Sequence, residues 1–417
     1  MADKSKRVVI VGGGFAGLNC ALDLANDPDI SITLLDRNNY QQFNPLFYQV
    51  AAGILSPGNA AFALRDVVRD LKNIDVQMAE VVSIDLANKS VTTKNGEIYG
   101  GDFVVLATGA AVNFFGTTGA EQHSYPLYSL KDAETLRAAI LNAFELADVS
   151  PAHRTDGALN FVVVGGGPTG VETAGVLIDM VNRTISKEYR HIVPSMAQIF
   201  LVERNASVLS MFSPVSQSYA ASELRSRGVQ LHLSVAIREV DAEGVLLSNG
   251  MRIQSKTVIW AAGLTARTMT TVPQIVPGPR GRVEVNEDLS LLGFPEVYVL
   301  GDLSNAKGTD KQPLPQLAAV AKQEGQFCAR SITGKIKGNR SLSFVYKDRG
   351  ILAMIGRNAA VAELGSGHHE IIGPFAFVTW LGVHAALLTV NRARLEAVIE
   401  WAWTYFHGEH AGQLLDQ

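Results

Sequence analysis

Short apolar runs that stop at glycine turns, followed by helix-spaced Ala, Leu and Val, set the rhythm of this 417-residue chain. The run Val8 to Val11 stops at Gly12-Gly13-Gly14, and apolar positions from Ala16 to Asn26 then recur at helical spacing. The next apolar run, Ile30 to Asp36, closes on an acid. Asn160 to Val164 starts the series again, with Gly165-Gly166-Gly167, an Ala- and Val-rich helix, and a strand Gln198 to Glu203 that also closes on an acid. Each half then alternates in strand fashion before a mostly apolar strand ending in small residues. In the first half Asp75 to Asp85 and Ser90 to Thr93 alternate, with a turn at Asn95-Gly96, and the apolar strand ends Ala107-Thr108-Gly109. In the second half the strand from Lys256 ends Ala261-Ala262-Gly263. The pattern predicts an α/β fold with two Rossmann-like dinucleotide-binding domains.

Between and after the halves, Leu130 to Ala147 reads as a joining helix, Pro151 to Gly157 as a linker, and Gly281 to Val285 as the start of a return to the first domain. Val297 to Asp302 is one more buried strand, ending in Gly301-Asp302. Pro315 is placed in the first turn of a helix running through Ala318 to Gln323. Asn38 to Gly53, rich in aromatics and amides, reads as a loop or short helix.

The C-terminal pattern differs. Ile371 to Asn391 holds no Asp, Glu, Lys or Arg, and such a run makes about 31 Å of helix, enough to span a bilayer core. Gly373, Pro374 and Gly382 interrupt it. In Arg392 to Phe406, Leu395, Val398, Ile399, Ala402 and Phe406 share one helical face beside arginines, Trp and Tyr. The expectation is an amphipathic, monotopic membrane-anchoring region, preferred over a true span or a buried dimer interface.

Composition narrows this picture. A net charge of −4 implies no general affinity for nucleic acid. Two cysteines, Cys20 and Cys328, exclude a disulfide framework and a C-x-x-C redox pair, and both are expected in helix cores. The basic N-terminus precedes an apolar run too short for a signal segment, which reads as a cytoplasmic start.

Both glycine turns read G-x-G-x-x-G, and their first glycines lie 153 residues apart. The first glycine makes the turn, the second admits a pyrophosphate to the backbone, and the third lets helix and strand touch. The phosphates then sit at a helix N-terminus, where the dipole favours negative charge. Asp36 and Glu203 are placed to hold ribose hydroxyls, and a carboxylate repels a 2′-phosphate. The second site should therefore prefer NADH to NADPH.

The two turns, the Ala-Thr-Gly strand and the Gly-Asp strand together resemble the two-dinucleotide-binding flavoprotein superfamily. Asn39 to Ala51, Ala110 to Gly116, the helix ending Ala321-Lys322-Gln323 and the Trp-rich C-terminus make the chain similar to type II NADH:quinone oxidoreductases, the single-subunit, non-pumping NADH dehydrogenases of respiratory chains. The resemblance implies FAD on the first motif, with Gly12, Gly14 and Gly17 at its pyrophosphate and Asp36 and Arg37 by its ribose. Thr108 and Gly109 would line the flavin, and Gly301 and Asp302 would meet the ribityl chain. NADH would lie on Gly165, Gly167, Gly170 and Glu203, with Gly263 alongside. Glu172, expected in the first turn of the second helix, would stand near nicotinamide and flavin, while Gln323 and Lys322 would serve the quinone. No metal site is expected. The chain departs from the resemblance at Gln41, where the family commonly has His, and at Ala319, where it often has Gln; Gln316 is a candidate to compensate.

The expected domains are 1–115 and 281–340 for FAD, 116–280 for NADH, and 341–417 as the membrane-associating region. The expected place is the cytoplasmic face of the cell membrane, peripheral or monotopic, with NADH and a membrane quinone as partners and a homodimer consistent with the resemblance. A soluble ferredoxin- or rubredoxin-type reductase would share both nucleotide sites without the apolar tail. A redox-sensing flavoprotein would keep the cofactors and turn over negligibly.

Overall fold

Two sheets, one parallel and one parallel except for an antiparallel edge strand, each grown around one glycine turn, organise the chain. The computed structural model describes residues 5–340, 342–365 and 367–407. The chain divides into two compact units, one of Met1–Gln42, Phe62–Ala111 and Leu264–Lys347, the other of Phe43–Ala61, Val112–Gly263 and Asp348–Gln417.

The first unit holds a six-stranded sheet in the order Ser290–Leu291, Phe294–Val299, Phe103–Leu106, Lys6–Val11, Ile30–Asp36 and Ile74–Met78. Lys6–Val11 pairs in parallel with Ile30–Asp36 on one side and Phe103–Leu106 on the other. The crevice at the carboxyl end of such a central strand is where open α/β sheets bind ligands. Both faces are covered, which is why Val8 to Val11 and Phe103 to Leu106 are apolar without alternation. Helix Phe15–Leu24 covers one face and packs on helix Ala318–Ile336. That approach is close: a Cβ on Gly325 would strike the Ala16 carbonyl oxygen. Cys20 and Cys328 are fully buried here.

The predicted strand Asp75 to Asp85 is in fact two. Ile74–Met78 joins the parallel sheet, and Val81–Asp85 joins an antiparallel sheet with Ser90–Thr93 and Ile98–Gly100. The chain leaves the first ladder at Ala79, whose N–H reaches the Asp36 carbonyl at 2.7 Å.

The second unit repeats the plan. Its parallel sheet runs Tyr125–Pro126, Thr257–Trp260, Asn160–Val164, Gln198–Glu203, Gln230–Leu233. Helix Leu130–Val149 begins with a capping box, Ser129 and Asp132 each bonding the other's backbone N–H. Helix Pro168–Met180 follows the second turn, and its Gly175 admits the Ile355 carbonyl at a point where a Cβ would clash. Ile355 belongs to a C-terminal antiparallel sheet of Gly350–Gly356, Ala359–Leu364 and His369–Ile372.

The uncharged stretch Ile371 to Asn391 does not form one helix. Ile371 and Ile372 finish a strand, Gly373 turns with φ +75°, and Pro374 starts a 14-residue helix that ends at Leu387. Such a helix is about 21 Å long, short of a bilayer core of about 30 Å. Among the described residues no helix is long and apolar enough to cross a membrane. Helix Asn391–His407 follows.

Candidate functional site

The two glycine turns are built alike. Gly12 and Gly165 have φ of +106° and +108°, a region closed to most side chains. A Cβ on Gly12 would strike the Ala107 carbonyl, and one on Gly165 would lie 2.7 Å from the Ala261 carbonyl. The small residues ending the downstream strands are thus what the first glycine presses against. A Cβ on Gly17 or Gly170 would run into the carbonyl of Gly12 or Gly165. Gly14 and Gly167 differ, because a Cβ there meets nothing within 4 Å. Each is the N-cap of its helix, and neither helix has an acid in its first turn. Open space at a helix N-terminus, free of acidic side chains, fits a pyrophosphate.

Each acid is clamped to its own turn. Asp36 Oδ2 accepts from Gly13 N–H at 2.6 Å and Oδ1 from Asn38 N–H at 2.7 Å. Glu203 Oε2 accepts from Gly166 N–H and Oε1 from Asn205 N–H, both at 2.6 Å. Burial raises the Asp36 carboxyl above its ordinary value, against the pull of the two N–H donors and of Arg37 and Arg267. Each oxygen keeps a further lone pair for a ribose hydroxyl, so the residues present fit a dinucleotide at both turns. Arg37 itself is exposed.

The Ala-Thr-Gly end of Phe103–Leu106 is pinned from the side. Thr108 Oγ1 donates to the Arg267 carbonyl at 2.8 Å, and Arg267 N–H donates to Gly109 O at 2.9 Å. In the second unit the Phe115 ring stands 2.8 Å from where a Cβ on Gly263 would be. The same segment is tied by Asn113 N–H to Gly263 O and by Trp260 Nε1 to Asn113 O.

Gly301 and Asp302 form a single turn, and Gln316 Nε2 holds the Asp302 carbonyl at 3.0 Å. Pro315 lies outside the following helix, not in its first turn. Leu317 is the N-cap because Leu317 N–H closes a turn on the Pro315 carbonyl first. Gln323 is half-buried, and its amide grips Lys347 twice, Nε2 to the carbonyl at 2.9 Å and Oε1 from the N–H at 3.0 Å. One N–H and one lone pair of that amide remain. The charge of Lys322, with that of Arg330, pulls against the burial that raises the Asp23 carboxyl on helix Phe15–Leu24.

Glu172 sits in the second turn of its helix rather than the first, because Gly167 caps early and Pro168 is already helical. It is buried, and Oε1 accepts from Met354 N–H at 3.1 Å and Trp380 Nε1 at 3.2 Å. Burial pushes its carboxyl up to about 8 despite those donors. Around it, Trp380 stacks on His384 with centroids 3.8 Å apart, and Tyr48 meets the Trp380 edge. Burial pushes His384 down to about 4, so the ring is neutral at pH 7. Gln49 donates to Tyr48 Oη and accepts from Trp401 Nε1 at 2.6 Å.

Sequence reasoning missed Asn38, Asn205, Arg267, Met354 and Trp380. The asparagines carried a signal, since both acids are followed by Arg-Asn: Asp36-Arg37-Asn38 and Glu203-Arg204-Asn205. The long-range partners of Glu172 carried none.

The chain matches the family model described as pyridine nucleotide-disulphide oxidoreductase over residues 6–325. It is 35% identical to the type II NADH:quinone oxidoreductase NdhA of Mycobacterium tuberculosis, over 98% of this chain and 88% of that one. It is 28% identical to the type II NADH:quinone oxidoreductase of Staphylococcus haemolyticus, over 87% of this chain and 90% of that one. Among solved structures, NDH2 from Plasmodium falciparum in complex with NADH shares the fold, with a TM-score of 0.88 at 21% identity, over 97% of this chain and 99% of that one.

Proposed function

The chain belongs to the type II NADH:quinone oxidoreductases, and from that premise we propose the parts its own residues play in carrying two electrons from NADH through FAD to a quinone. The observation that carries the assignment is the duplicated clamp, Asp36 on Gly13 and Glu203 on Gly166. When bound, FAD supplies the two-electron chemistry. Gly12, Gly14, Gly17 and Asp36 hold its adenosine half, with Arg37 and Arg267 tempering the carboxylate. Thr108, Gly109, Gly301 and Asp302 line its other half.

Gly165, Gly167 and Gly170 seat the NADH pyrophosphate, Glu203 selects the unphosphorylated ribose, and Gly263 keeps the approach narrow. Glu172, a neutral acid at pH 7, stands beside the nicotinamide as a hydrogen-bonding group that costs no buried charge. Gln323 and Lys322 attend the quinone, Gln323 with the N–H left after its grip on Lys347.

A quinone resides in lipid, and the apolar side chains left exposed on the two C-terminal helices suit a peripheral position on a membrane. Phe375 and Val378 on one helix, and Leu395, Ile399 and Phe406 on the other, all lie open to solvent. A cytoplasmic face suits a chain whose two cysteines, Cys20 and Cys328, are free and buried.

The test is NADH oxidation by purified, FAD-loaded protein in detergent, with and without a short-chain quinone, and with NADPH in parallel. Quinone-dependent turnover with NADH and little with NADPH is expected, and Glu203→Ala should narrow the gap between the two nucleotides. Flavin reduction with no quinone-dependent turnover would refute the acceptor.

A further inference from the structure

Glu324 is a buried carboxyl that none of the roles above employs. It lies on helix Ala318–Ile336, next to Gln323, and is fully buried. Its Oε2 accepts the N–H of Gly301, beneath the turn that presents Asp302. Its Oε1 is buried with no hydrogen-bond partner among the described residues.

The charges facing it are few. Arg282 is buried, with Nε on the Ser304 carbonyl at 2.7 Å and Nη1 on the Leu314 carbonyl at 2.9 Å, and its charge acts on Glu324. Asp302 opposes that influence from the turn itself. On the packed helix Phe15–Leu24 the acid is Asp23, whose charged neighbours are Arg330 and Lys322. Arg280 and Glu284 act on Arg282 rather than on Glu324 directly.

A structural acid here would need only one acceptor oxygen for Gly301. A hydroxyl-bearing or ionised oxygen left without a partner in a dry site is costly, and it marks a group whose proton can come and go. We propose that Glu324 is a redox-linked proton site, gaining a proton from solvent when the flavin beside the Gly301–Asp302 turn becomes negatively charged and returning it on reoxidation. The inference rests on the reading that FAD lies against Asp302.

NADH gives up two electrons and one proton to the bound flavin and leaves as NAD⁺, so the flavin gains one negative charge. The Glu324 carboxylate and one solvent proton form the carboxyl, offsetting that charge. On reoxidation the quinone takes two electrons and two protons, and Glu324 returns to carboxylate. The overall reaction still consumes one solvent proton per NADH.

Burial already pushes this carboxyl up to about 8. A negative neighbour raises it further, so proton uptake should be small at pH 7 and grow above pH 8, where the oxidised state leaves Glu324 ionised. Flavin-loaded wild-type protein and Glu324→Gln are mixed anaerobically with stoichiometric NADH in weak buffer with a pH-indicator dye. Glutamine keeps an acceptor for Gly301 and cannot titrate.

Wild type is expected to take up solvent protons, rising toward about one per flavin between about pH 7 and 9. The variant should be reduced to the same extent with less than about a third of that uptake. Equal uptake by the two proteins overturns the inference while leaving the flavin assignment intact. Failure of NADH to reduce the flavin of wild type overturns both.

Infrared difference spectra of wild-type holoenzyme give a readout that needs no variant. A protonated-carboxyl band should appear on reduction above pH 8, and its absence overturns the proposal.

Discussion

At the scale of single residues, glycines of one motif do unlike things. Gly17 is required by the fold, since a methyl group there meets the Gly12 carbonyl. Gly14 is surrounded by open space and is required only if something binds. Gly17→Ala should therefore lower the melting temperature or prevent folding, at a cost of several kcal/mol on the order of other overpacking changes. Gly14→Ala should fold normally and lose FAD by at least about tenfold in affinity, about 1.4 kcal/mol. Thermal melts and flavin content on the two variants separate the cases; equal melting temperatures would contradict the geometry. Both motifs and both acids were legible from sequence because their chemistry is local. The clamps from Gly13 and Gly166 were not, because they join residues 23 and 37 positions apart.

At the scale of elements, the C-terminal helices leave apolar side chains exposed, and neither is long and apolar enough to cross a membrane. The charge-free run is longer than the helix inside it, because Ile371 and Ile372 end a strand, Gly373 turns, and the helix from Pro374 stops at Leu387. Helix Asn391–His407 buries Ala393, Ala397 and Trp401 and leaves Leu395, Val398, Ile399 and Phe406 outside. Small residues and one indole make its inner stripe, so the large apolar groups face away. Leu395→Asp with Ile399→Asp should reduce sedimentation with anionic phospholipid vesicles by at least about tenfold, since each buried Leu or Ile is worth roughly 1.5–3 kcal/mol. Flavin content and reduction by NADH should stay unchanged. Undiminished vesicle binding would remove this face from the membrane-binding surface.

At the scale of the whole molecule, two buried carboxyls make stability depend on pH. Glu172 and Glu324 both rise to about 8 from an ordinary 4.5. An acid raised in the folded state stabilises it fully below the unfolded value, and that contribution is lost as pH climbs through the folded one. His384, lowered to about 4 from 6.5, costs stability as pH falls below 6.5. Of these three groups the two carboxyls act between about pH 6.5 and 8, at up to roughly 1.4 kcal/mol per pH unit each. Melting temperature should fall across that window, and the double change Glu172→Gln, Glu324→Gln should flatten the fall. A slope unaffected by the double change would show that neither carboxyl is held neutral by burial. The duplicated architecture behind this chemistry was readable from period and spacing alone. The burial of Glu172 was not, because its donors Met354 and Trp380 lie 182 and 208 positions away.

Those two donors have a practical consequence. Both come from the stretch that also bears the exposed apolar helices, so the tail is not a detachable handle. Trimming it to obtain a water-soluble enzyme would strip Glu172 of the indole and backbone groups that hold it and expose a carboxyl that is now buried. An engineer seeking a soluble form should repaint the outward side chains and leave the backbone whole.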